Sequence, residues 1–120
     1  MEISVRKNDQ SRSEKDIRAW GSLTWLANGK LGNAQGITVG RVIIRKGQSN
    51  PLHAHDNSEE VLYLLTGRLE HRVGHEKVIL EPGDTVTIPA GIEHNALSIG
   101  DQDADMMVVY ASAQREIRDV

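Results

Sequence analysis

Residues 47–67 read GQSNPLHAHDNSEEVLYLLTG, and three of them, His53, His55 and Glu60, carry the chemistry. Side chains alternate between faces along an extended strand, so the His-Ala-His sequence directs both imidazoles the same way. Glu60 lies an odd number of positions beyond His55 and cannot share that face if the strand simply continues. The chain has to turn. Asp56-Asn57-Ser58 supplies the turn, because short polar side chains hydrogen-bond their own backbone and tolerate turn dihedrals. The expected form is a β-hairpin in which Glu60 opens the return strand opposite the histidines. Residues 61–65 continue it as an unbroken apolar run ended by Thr66-Gly67, which reads as a strand buried on both faces. Two imidazoles and one carboxylate meeting at a strand end make an incomplete metal site. A fourth ligand has to come from elsewhere.

The flanking sequence is a succession of short strands. Upstream, residues 20–26 place Leu23 and Trp25 on one face, and residues 27–36 form a loop rich in Gly and Asn. Residues 37–45 follow as a β-branched strand, with Arg41 at a barrel mouth or, less in keeping with long charged side chains, pointing inward. Downstream, residues 68–73, 77–80, 85–88, 94–99 and 106–111 read as strands separated by Gly, Pro and acidic turns. Many short strands with no clear amphipathic helix indicate an all-β barrel or sandwich. The expected organisation is a polar N-terminal arm over residues 1–16, one barrel domain over 17–112 and a polar tail over 113–120. The arm is expected to be flexible or to hold a short edge strand at residues 3–5, and the tail to be a short helix or a frayed end.

The second informative stretch is residues 83–98, GDTVTIPAGIEHNALS. Gly83 starts a strand, Pro89 and Gly91 bend the chain, and His94 opens the next strand. Together the two stretches resemble the motifs of the cupin superfamily. Gly47, His53, His55, Glu60 and Gly67 occupy every position of the first motif, and Gly83, Pro89, Gly91 and His94 match the second. Ser98 stands where the family has Asn, which leaves the ligand set intact and removes one hydrogen-bonding amide. The resemblance covers about residues 37–111 and implies an antiparallel jelly-roll β-barrel in a single domain. It also implies a metal site of His53, His55, Glu60 and His94. Counting to Gly67 selects Glu60 over Glu59. Such a ligand set suits divalent Fe, Mn, Ni, Cu or Zn. The alternative is a hydrogen-bonded polar cluster without metal.

Two further residues are candidates for chemistry. His71 shares a face with Leu69 and Val73, and Tyr110 shares one with Met106 and Val108. If those faces look inward, His71 becomes an acid, a base or a donor to a ligand, and Tyr110 reaches the pocket. The implied function is a metal-dependent enzyme of dioxygenase type acting on a small oxygenated organic molecule. Non-redox isomerase or lyase chemistry next to a carbonyl, or binding without turnover, are the alternatives.

Composition bounds the partners. The 120 residues suit one domain, and 14 Lys and Arg against 17 Asp and Glu give a formal charge of −3, so no nucleic-acid partner is expected. Absence of Cys excludes thiolate ligation. Neither a secretory signal nor a membrane-spanning run is apparent, so a cytoplasmic location and no membrane partner are expected. The apolar outer face of Val61, Tyr63 and Leu65, with the strand at 20–26, suggests a homodimer.

Overall fold

Short, β-branched segments broken by Gly and Pro turns close into two antiparallel sheets. The computed structural model describes residues 3–120. After helix α1 (Asn8–Ser13) come β1 (Asp16–Arg18), β2 (Gly21–Ala27), β3 (Thr38–Ile44) and β4 (His53–Ala54). They are followed by β5 (Glu60–Thr66), β6 (Leu69–Val73), β7 (Glu76–Leu80) and β8 (Thr85–Ile88), and then by β9 (His94–Ser98), β10 (Ala104–Tyr110) and β11 (Arg118–Asp119). One sheet has the order β1-β2-β3-β10-β5-β8 and the other β11-β4-β9-β6-β7. The result is the all-β antiparallel barrel in a single domain that the sequence implied.

Alternation places the core. On β10, Ala104, Met106, Val108 and Tyr110 are buried while Val109 is exposed. Met106 lies opposite Val42 of β3 and Leu64 of β5, and Val108 opposite Gly40 and Leu62, so inward residues stack across the central strands. Leu69 and Leu80 come from the facing sheet to complete an aliphatic core. With no Phe available, Val, Ile and Leu make up most of the interior, with Ala, Met106 and Tyr110 filling the rest.

Four expectations are corrected. The histidine stretch is not a hairpin, because β4 belongs to one sheet and β5 to the other. The turn at Asp56-Asn57 instead carries the chain across the barrel, which still puts Glu60 opposite the histidines. Residues 61–65 are not buried on both faces. Leu62 and Leu64 point inward, while Tyr63 and Leu65 are 43% and 38% exposed and Val61 is half-buried, so the outer face on which the homodimer expectation rests, with the strand at 20–26, is partly uncovered in this chain. The arm has no strand at residues 3–5 and instead forms α1, a single short helix with no apolar repeat to announce it. The tail is neither helix nor frayed, since β11 pairs with β4 through Arg118 opposite Ala54 and Asp119 opposite His53. Arg118 also holds Asp56 at 2.8 Å. Arg41 is a surface residue bonded to Asp105 at 2.8 Å.

Gly67 marks a place where the chain permits no other residue. Its φ is +87°, and a Cβ there would lie 2.7 Å from Ala104 Cα and 2.8 Å from the Asp103 carbonyl oxygen. Both the left-handed conformation and the backbone approach demand glycine as β5 hands over to β6.

Leu64 is fully buried between β10 and the facing sheet. Leu64→Ala is expected to cost about 3 kcal/mol of unfolding free energy in urea titration, the typical penalty for a buried Leu truncation. A loss under about 1 kcal/mol would mean that this position is not part of a close-packed core.

Candidate metal centre

His53 lies on β4 and His94 directly opposite it on β9, so the antiparallel register alone brings two imidazoles together. Their ring centroids are 4.3 Å apart. His55 follows two residues after His53 on the same side, 4.9 Å away by ring centroids. The Pro89-Ala90-Gly91 turn is tied to this segment, because the Gly91 amide donates to the His55 carbonyl at 3.0 Å. Gly91 adopts φ +79°, a conformation glycine reaches without strain, and so lets the turn deliver His94 three residues later. Glu60 enters from the other sheet at the start of β5.

Ring orientation is fixed by backbone carbonyls, which can only accept. Nδ1–H of His53 donates to Pro51 at 2.7 Å, that of His55 to Glu116 at 2.8 Å and that of His94 to Ile92 at 2.8 Å. With a proton held on Nδ1, each imidazole turns its Nε2 to the interior, where a lone pair on that nitrogen is free to bind a cation. One ligand atom from each of the three histidines and from Glu60 lies within 4.8 Å of the others, and all four residues are buried. Glu59, by contrast, is exposed.

This arrangement is short of protons. Glu60 Oε1 is 3.1 Å from His94 Nε2 and 3.4 Å from His55 Nε2. A second proton on His94 makes an imidazolium–carboxylate pair, and burial of His94 opposes but does not cancel the Glu60 contact that raises its pKa. Burial likewise works against ionisation of Glu60, yet the two adjacent imidazoles hold its carboxyl down at about 2. One carboxylate can pair with only one imidazolium, and the buried His55 Nε2 has no hydrogen-bond partner. His53 is pushed down to about 4, chiefly by burial, and stays neutral. Three lone pairs and a carboxylate around one point fit a divalent cation, which satisfies all four at once.

The cluster opens onto a cavity of about 330 Å³. Both further candidates line it. His71 is 2% exposed, stacks on His94 at 6.1 Å between centroids, and has an Nδ1 with no partner. Burial drives its pKa down to about 4, so it is neutral. Tyr110 lies opposite Glu60 on the neighbouring strand, and burial together with the Glu60 charge raises its phenol well above 10, keeping it protonated. Ser98 is buried, with no partner for its Oγ. The tail was missed as a contributor: its Glu116 carbonyl orients His55, and Arg115 joins the cavity wall. A backbone carbonyl leaves no mark in the sequence.

The cupin domain model matches residues 40–110. The chain belongs to the cupin family. This cupin is 34% identical over 88 residues to germin-like protein 3-7 of Oryza sativa subsp. japonica, a match covering 67% of the chain and 36% of the relative. It is 40% identical to quercetin 2,3-dioxygenase of Bacillus subtilis over 50 residues, 42% of the chain and 15% of the relative. Among solved structures, oxalate decarboxylase of Lactobacillus farciminis in a formate complex superposes with a TM-score of 0.84 at 23% identity, over 89% of this chain and 33% of that one. At that identity the likeness is one of fold. The chain spans less than half the length of the germin-like relatives it matches.

Purified protein is expected to hold about one equivalent of divalent metal by elemental analysis, and His53→Ala and His94→Ala to lose it. Retention of stoichiometric metal by both variants would place the ion elsewhere. Acid should release the metal, because ion and proton compete for the same Nε2 lone pairs; His94, whose pKa is raised above 6.5, is the first to be reprotonated. The metal-free protein should also lose stability between pH 6.5 and about 4, where the unfolded chain binds protons that folded His53 and His71 refuse. His94 acts in the opposite sense and in a different window: its raised pKa adds a constant stabilisation below pH 6.5 that is lost as pH rises above 6.5. Metal affinity by competitive chelator titration and thermal unfolding of the metal-free protein across pH check both directions.

Proposed function

We propose that this cupin is a metal-dependent enzyme of dioxygenase type acting on a small oxygenated organic molecule. The carrying observation is that His53, Glu60 and His94 form part of the wall of an open cavity instead of being sealed within the core. A closed set of ligands suits a structural ion, whereas a site facing a cavity leaves coordination positions for other molecules. When bound, a divalent transition metal supplies a Lewis acid and, if redox-active, one-electron chemistry. The matched relative named as a 2,3-dioxygenase supports placing oxygen chemistry ahead of the non-redox alternative.

The chain's own residues divide the remaining work. Glu60 stays ionised and balances part of the cation's charge. Leu62, Val108 and Ala96 line the cavity with apolar surface, which limits the water around a bound substrate. Neutral His71, with its unpartnered Nδ1 beside His94, is placed to take a proton from a substrate hydroxyl. Tyr110, held protonated, serves as a donor beside Glu60.

The reading is tested on metal-loaded protein with a panel of vicinal diols, hydroxy acids and diketones, with and without oxygen. Turnover that stops under strict anoxia is the expected result. Full turnover without oxygen would replace dioxygenase chemistry with isomerase or lyase chemistry, and no turnover with any metal would leave a binding module. His71→Gln should keep the metal and lower kcat about 100-fold on whichever substrate turns over, the usual scale for a general base.

A further inference from the structure

Arg115 has no partner that explains where it sits. It is half-buried in the tail, with its guanidinium carbon 4.6 Å from the centroid of the Trp25 ring and 5.1 Å from that of Tyr110. Two aromatic faces therefore fix the plane of its donors. Its Nη1 lies 3.5 Å from His55 Nδ1, but that nitrogen already donates to the Glu116 carbonyl, so the two groups are both donors and no hydrogen bond joins them. Among the described residues no carboxylate comes within 4.0 Å of it. Seven of the other arginines have acceptors: Arg6, Arg18, Arg41, Arg68 and Arg118 pair with carboxylates, and Arg45 and Arg72 donate to backbone carbonyls, while Arg12 is exposed on the surface away from the cavity lining.

The same residue lines the cavity together with His53, Glu60 and His94. A planar cation with free donors, lining the same cavity as the metal ligands, is a receptor for a carboxylate. The charge balance favours the same class, because a divalent ion exceeds the single charge of Glu60. Asp119 also lines the cavity but is exposed, and Arg18 beside it is already paired with Asp16. We propose that Arg115 is the anion-binding residue of this pocket and that the substrate is a small organic acid, one end directed to the metal site and a carboxylate to Arg115. This rests on the metal-enzyme reading above and narrows its substrate class. Residues 115–116 thereby serve both halves of the site, Arg115 gripping the anion and Glu116 orienting His55.

Oxalate and imidazole are the two probes, titrated into Co(II)-loaded protein and followed by the visible absorption of the metal. Oxalate tests an anionic ligand and imidazole a neutral one. Arg115→Gln is expected to keep one equivalent of Co(II), to bind imidazole as the unsubstituted protein does, and to weaken oxalate about tenfold or more. Arg115→Lys should fall between, since it keeps the charge and loses the planar fork. Arg68→Gln, which makes the same change of net charge at an exposed pair with Glu81, should leave both affinities alone. Equal oxalate affinity in the Arg115→Gln variant, or equal loss of imidazole and oxalate, would overturn the assignment while leaving the metal centre standing; so would failure of the unsubstituted, Co(II)-loaded protein to bind oxalate. Failure of the unsubstituted protein to bind Co(II) would instead remove the metal-enzyme reading and this inference with it.

Discussion

Three hydrogen bonds from imidazole Nδ1 to backbone carbonyls govern the site. Because Pro51, Glu116 and Ile92 accept those protons, His53, His55 and His94 have no choice but to turn their Nε2 lone pairs toward Glu60. Acceptors facing acceptors in a buried place are unstable unless something positive lies among them. A proton on His94 answers part of that need, and a divalent cation answers all of it. The neutrality of His53 and His71, each pushed down to about 4 by burial, follows from the same enclosure.

The barrel exists to place those carbonyls and rings. His53 and His94 meet through a single antiparallel register, Glu60 arrives from the other sheet, and the Gly91 amide binds the two motif segments together. The tail closes the arrangement from a third direction. Its two-residue strand β11 lies against β4, Asn57 grips the Gln114 carbonyl at 2.8 Å and accepts from the Glu116 amide at 2.9 Å, and this holds the Glu116 carbonyl on His55. Metal ligand and tail are therefore joined through the backbone at Gln114 and Glu116, so that loss of the Asn57 bonds would be felt at His55.

Much of this was legible in the sequence. The His-Ala-His parity and the polar turn after it pointed to His53, His55 and Glu60, the resemblance to the two cupin motifs supplied His94, and the period-two faces on which His71 and Tyr110 lie are ones that look inward. Local pattern failed where the deciding contact was distant. A polar turn between two strands is the same sequence whether it closes a hairpin or crosses between sheets, and only the partners of β4 and β5 tell them apart. Residues 61–65 are apolar on both faces, yet only the inner face is covered within this chain. The tail carries alternating charges with no apolar face, so neither its pairing with β4 nor the stacking of Arg115 on Trp25 and Tyr110 has a local signal.

The central claim is that one cation belongs at the point where four side chains converge. Anomalous diffraction from crystals of the purified protein, recorded across the absorption edges of Mn, Fe, Ni, Cu and Zn, tests it most directly. The account predicts a single strong peak within about 2.0–2.4 Å of Nε2 of His53, His55 and His94 and of a Glu60 oxygen. A metal-saturated crystal with no peak there, and with the His94–Glu60 contact intact as a closed ion pair, would contradict it.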